Sequence, residues 1–178
     1  AIPSRVKSID FWWKFFSDDQ RKTFSKQLEN SLYQLLNSSA IKDDERKPIY
    51  STYTHIATLD EAQQLIYGFW CDKIKVKGIK IDDYMVLAYE LAVRSFGNTD
   101  SILTVQEQKI KNADRKAKFK FIRRAVSTDL SVRDSFFASL SDLSNRRPEA
   151  WVIEALHYLH HPLRTGTSIK YIKPSLDL

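Results

Sequence analysis

The chain has 178 residues and a net charge of +6, with 43% hydrophobic and 28% charged residues but only four glycines and five prolines. So few turn-formers exclude a sandwich or barrel, which needs a turn about every ten residues, and glycines at 68, 78, 97 and 166 are too far apart for a dinucleotide fingerprint or a phosphate loop. No run approaches the roughly 18 apolar residues of a membrane span, so no membrane partner is expected, and a single cysteine excludes an internal disulfide.

Apolar residues recurring at three and four predict helices over 10–16, 18–38, 46–57, 59–75, 82–95, 100–111, 113–125, 131–141, 148–161 and 168–178. The first carries Phe11-Trp12-Trp13-Lys14-Phe15-Phe16, too aromatic to stay in water, and is expected to pack on neighbouring helices or a further domain. Ser17 with Gln20 fits a capping box at the second helix, whose stripe is Phe24, Leu28, Leu32, Leu35 and Leu36. The acids Asp18-Asp19 and Asp43-Asp44-Glu45 suit the positive ends of helices. Pro48 and Pro148 fit first-turn positions, and Thr58 with Glu61 fits a second capping box. Ile74 to Ile81 alternates briefly, but Gly78 interrupts it, so a helix-to-helix link is expected. Asp82, Thr99, Asn112 and Ser127 or Ser131 are candidate N-caps, while Gly78, Gly97 and Gly166 fall in predicted connections. The expected fold is all-α: one helical-repeat domain over 1–178, an irregular HEAT/ARM-like α-α superhelix of about ten helices.

Four features could carry chemistry. His157 and His161 have a zincin-like spacing and share a face with Glu154, but Tyr158 stands where a zincin has Glu. The expected reading is a solvated polar face, with no metal site and His160 near its edge. Cys71 sits late in an apolar helix, where a cysteine is a small core residue rather than an activated thiol. No serine lies in G-x-S-x-G, so no catalytic residue is assigned. The aromatic run could stack bases, although burial is the expected role.

The fourth feature is the segment 105–125, with eight bases against two acids, which accounts for the whole net charge. Lys111, Arg115 and Lys118 are spaced along one helix face, as are Lys116, Lys120, Arg123 and Arg124. Such a helix suits a solvated or interdomain surface, a peptide terminus or another anion. Nucleic acid is not expected, because aromatics do not interleave with the bases.

The stretches Asn112 to Phe119, Leu130 to Leu140, Arg147 to Arg164 (with Leu159-His160-His161-Pro162-Leu163-Arg164) and Ser168 to Leu176 together resemble the C-terminal helical domain of M1-family zinc aminopeptidases, the gluzincins. The likeness is specific over about residues 110–178 and compatible over the first hundred. It implies an all-helical domain that caps the cleft of a separate catalytic domain and helps hold peptide, in a parent enzyme that removes N-terminal residues. The zinc would belong to that catalytic domain; this chain has no H-E-x-x-H and no G-x-M-E-N. Partners implied are the catalytic domain and peptide substrate. Lys111, Arg115, Lys118, Arg123 and Arg124 are the candidate substrate or interdomain face, although relatives are less basic around Ile122-Arg123-Arg124-Ala125. The resemblance also implies a piece cut from a longer chain at both ends. The alternative is a free-standing scaffold that binds an anionic protein or nucleic acid through 105–125. The compartment is open: one cysteine suits cytosol, periplasm and exterior alike.

Overall fold

The computed structural model describes residues 5–78 and 80–178 and is all-α, with no strand among them. The helices are α1 (Arg5–Phe15), α2 (Asp18–Asn37), α3 (Asp43–Ile56), α4 (Asp60–Trp70), α5 (Ile81–Val93), α6 (Thr99–Lys109), α7 (Ala113–Val126), α8 (Leu130–Ser139), α9 (Glu149–Leu159) and α10 (Thr165–Leu176). Short 3-10 turns occupy Leu143–Arg146 and Pro162–Arg164. The chain divides into two compact units, Ala1–Leu87 and Ala88–Leu178, with the boundary inside α5.

In the first unit α2 and α1 both pack on α3. The core of this unit holds Trp12, Leu36, Tyr53 and Ile56, with Ile66 and Phe69 of α4, all buried. Tyr53 and Phe69 meet edge to face, with ring centres 6.2 Å apart. In the second unit α7 is the hub: it packs on α6, α8 and α9. Phe119 and Ile122 on α7 are fully buried, and the Phe119 ring stacks on Tyr89 at 4.9 Å. Tyr89 also meets Tyr158 of α9 at 5.2 Å.

Helix starts follow local chemistry in part. Ser17 and Gln20 form the expected capping box, with Oγ accepting from Gln20 N at 3.2 Å and Gln20 Oε1 accepting from Ser17 N at 2.9 Å. Asn112 caps α7 through Arg115 N at 2.9 Å. Elsewhere the cap shifts. Asn98 rather than Thr99 caps α6, and Asp129 rather than Ser127 or Ser131 caps α8. Asp82 lies inside the first turn of α5. α3 begins at Asp43, so Pro48 stands within it rather than in its first turn; Glu45 Oε2 reaches back to Lys42 N at 3.0 Å and starts the helix ahead of the proline. Pro148 is the residue before α9, and Gly166 lies inside α10 rather than in a connection.

The expected Thr58–Glu61 box does not form. α4 starts after Leu59, and the Thr58 hydroxyl donates instead to Glu29 of α2 at 2.9 Å. The same carboxylate accepts from Thr58 N at 2.7 Å and from Leu59 N at 3.4 Å. A buried acid from another helix thus occupies the positive start of α4.

Helix ends show what replaces glycine. Two left-handed positions are taken by Asp72 (φ 59°) and Ser95 (φ 55°). After α5, Ser95 N donates to Ala92 O and Phe96 N to Leu91 O, both at 3.0 Å, which is a Schellman ending built on serine. Other ends are held by arginine. Arg21 reaches the carbonyl of Phe16 beyond α1, and Arg46 reaches Leu36 and Ser38 at the end of α2. Arg133 reaches Ser127 after α7 at 2.6 Å, and Arg146 reaches Leu140 after α8 at 2.7 Å. Each guanidinium supplies several donors to carbonyls that an ending helix leaves unpaired.

Candidate functional site: the basic helix, the histidines and an apolar groove

Most of the basic face on α7 is engaged within its own unit. Lys118 pairs with Glu154 of α9 at 2.5 Å. Arg123 pairs with Glu107 of α6 at 3.0 Å and donates to Thr104 Oγ1 at 2.9 Å. Lys120 approaches the same Glu107 at 3.7 Å. The Arg124 guanidinium lies 5.5 Å from the Phe136 ring centre, a cation–π contact with α8. Lys111 and Arg115 are exposed near the start of α7. The five expected residues are therefore not gathered at one site: Lys118 faces α9, Arg123 faces α6 and Arg124 covers α8.

The histidines do not form the expected solvated face. His161 lies beyond α9 and is buried; its Nδ1 accepts from Leu163 N at 3.2 Å and starts the 3-10 turn. Burial pushes its pKa down to about 3, so the ring is neutral, with its proton on Nε2. Glu154 is taken by Lys118. Among the described residues no group of three His, Cys, Asp or Glu side chains could hold a metal ion. His160 Nε2 and Ser175 Oγ are 2.8 Å apart, with the imidazole pKa lowered by desolvation. A nucleophile and base need a third group that orients the base. His160 Nδ1 is buried with no hydrogen-bond partner among the described residues. The Cys71 thiol sits at the end of α4 and faces Gly68 O at 3.7 Å.

A cavity lies elsewhere, in the first unit. It is a groove of about 820 Å³ that α1 and α2 wall and α3 floors. Phe11, Trp12 and Phe16 line one side, Phe24, Leu28 and Leu32 the other, and Ile56 the floor; Gln27, Ser31 and Thr52 are its polar members. Among the described residues none that lines it is charged. Of the aromatic run, Trp12 is buried, whereas Phe11 and Phe15 stack on each other at 5.3 Å and stay exposed. The α2 stripe splits likewise: Leu36 is buried, while Phe24 and Leu35 face outward. No segmental pattern marks such a groove, because the stripe that lines it is indistinguishable in sequence from one that fills a core.

Among the described residues no helix is long and apolar enough to cross a membrane. No family model matches the chain, and neither a curated protein nor a solved structure matches it.

Proposed function

We propose that this chain is the non-catalytic helical part of an M1-family zinc aminopeptidase, an irregular helical-repeat solenoid that caps the catalytic cleft and helps hold peptide. The observation that carries the reading is where the resembling residues lie. The stretches 112–119, 130–140, 147–164 and 168–176 supply α7 to α10 of the second unit. Within them, Phe119, Phe136, Tyr158, His161, Arg164 and Tyr171 are buried. Buried aromatic and polar positions are dictated by one packing arrangement, so likeness there speaks for a shared fold more than surface likeness would. The zinc and the reacting groups belong to a catalytic domain of the parent.

The scaffold alternative asks the basic helix to neutralise an anionic partner. Lys118, Lys120 and Arg123 are already paired with Glu154 and Glu107, which argues against it. The test has two parts. The purified chain should leave an aminoacyl reporter intact with zinc present; chelator-sensitive hydrolysis by the chain alone overturns the accessory role. The parent reading frame should encode H-E-x-x-H a few hundred residues upstream; a parent without it overturns the aminopeptidase assignment.

A further inference from the structure

The pattern Asn-x-Ser/Thr occurs once in the chain, as Asn37-Ser38-Ser39, and the residue after it is Ala40 rather than proline. Such a triplet is the unit that N-linked glycosylation recognises, and it needs a surface position. Here it lies where α2 ends, directly after the buried Leu36. Asn37 is the last residue of the helix and is exposed. Ser38 is extended (φ −69°, ψ 134°), and Ser39 and Ala40 are exposed in the turn that leads towards α3. We propose that Asn37 is the acceptor of an N-linked glycan.

The local geometry suits this chemistry. Asn37 Nδ2 donates to Tyr33 O at 2.8 Å, an exposed bond that water can replace when the amide is taken up. Ser38 Oγ turns back to accept from Ala40 N at 3.2 Å. The Ser39 hydroxyl, the group a transferase reads, has no partner among the described residues. The co-substrate is an oligosaccharide carried on a lipid pyrophosphate. Asn37 Nδ2 bonds to the anomeric carbon of the first sugar, and the bond from that carbon to the pyrophosphate oxygen breaks. The pyrophosphate leaves with the bonding pair, and Nδ2 gives up one proton to a base of the transferase. Nothing is oxidised or reduced. The product also fits the fold. Arg46, not the Asn37 side chain, holds the end of α2: its guanidinium reaches Leu36 O, and its Nη2 donates to Ser38 O at 2.7 Å. The Asn37 side chain can therefore carry a sugar into solvent without loosening the helix end.

The test expresses the whole chain behind a secretory leader in cultured animal cells. Lysate and medium are read together, so retention inside the cell hides nothing, and removal of the leader marks the chains that have entered the lumen. These should run as one slower band, which peptide-N-glycosidase returns to the 20.8 kDa of the bare polypeptide. Peptide mapping after that treatment should find Asn37 converted to aspartate. Asn37→Gln and Ser39→Ala should each abolish the slower band, whereas Ser39→Thr should keep it, because its hydroxyl is retained. The Asn37→Gln chain should keep its helical circular dichroism, since Arg46 still closes α2. A native chain that loses its leader yet shows no slower band overturns the proposal. So does a slower band that survives Asn37→Gln or Ser39→Ala. None of these outcomes depends on the aminopeptidase role.

Discussion

Arg164 Nη2 donates to the carbonyl of Val126 at 2.6 Å, across 38 residues of sequence. The same nitrogen reaches Ala92 O at 2.9 Å, while Nη1 reaches Ala125 O at 3.2 Å. One buried guanidinium therefore closes the ends of both α5 and α7. Both ends are poles of partial negative charge, which a cation suits. Burial lowers the Arg164 pKa, but only to about 10, so the group is charged at neutral pH.

Arg164→Met should cost at least about 3 kcal/mol, because several buried carbonyls lose a charged donor at once. Arg164→Lys should recover only part of this, since one ammonium cannot fork to two helix ends. Urea unfolding followed by circular dichroism measures both. A midpoint shift within error of zero for Arg164→Met would mean that the clamp is dispensable.

Glu29→Ala should destabilise the first unit by about 2–3 kcal/mol. It removes the acceptor shared by Thr58 N, Thr58 Oγ1 and Leu59 N, which combines a lost helix cap with buried donors left unsatisfied. Glu29→Gln should fall between, because its amide oxygen still accepts while its amide nitrogen has replaced an acceptor. Thermal unfolding that ranks the variants otherwise would count against Glu29 as the cap of α4.

Lys118 of α7 and Glu154 of α9 are each about one-third exposed and 2.5 Å apart. Partly exposed pairs contribute little, so Glu154→Lys alone should cost about 1 kcal/mol, with repulsion replacing attraction. Reversing both charges, with Lys118→Glu added, should restore most of it. A double variant as unstable as the single one would show that the pairing is incidental.

What could be read from sequence was local. Ser17 and Gln20 are three residues apart, as are Asn112 and Arg115, so both caps are complete within one turn. Thr58 and Glu61 satisfy the same spacing, yet Glu29 captures Thr58 from 29 residues away. The arginine clamps share this property: Arg164 serves carbonyls 38 to 72 residues distant. The scarcity of glycine predicted helices but not how they would end. Similarly, α7 was legible as basic, whereas the acids that hold Lys118 and Arg123 come from α9 and α6. Periodicity could not tell that Phe24 lines an open groove while Leu36 is buried.

His161 is buried and neutral, with Glu90, Arg94, His157 and Arg164 acting on it electrostatically. Its folded pKa, about 3, lies below the ordinary value of 6.5. Between those values the unfolded chain binds a proton that the folded chain does not, so stability rises with pH across the window and falls as the medium is acidified below 6.5. The limiting slope is about 1.4 kcal/mol per pH unit. Asp129, Asp134 and Asp142 also have lowered pKa values, from hydrogen bonds to Ser131, Lys170 and Ser144, and they add to acid sensitivity at lower pH. The variant His161→Asn separates the effects: its side-chain oxygen can still accept from Leu163 N but does not titrate. Urea midpoints measured from pH 7 to pH 4.5 should fall steeply for the native chain and much less for His161→Asn. Parallel curves would show that His161 is not the acid-sensitive group.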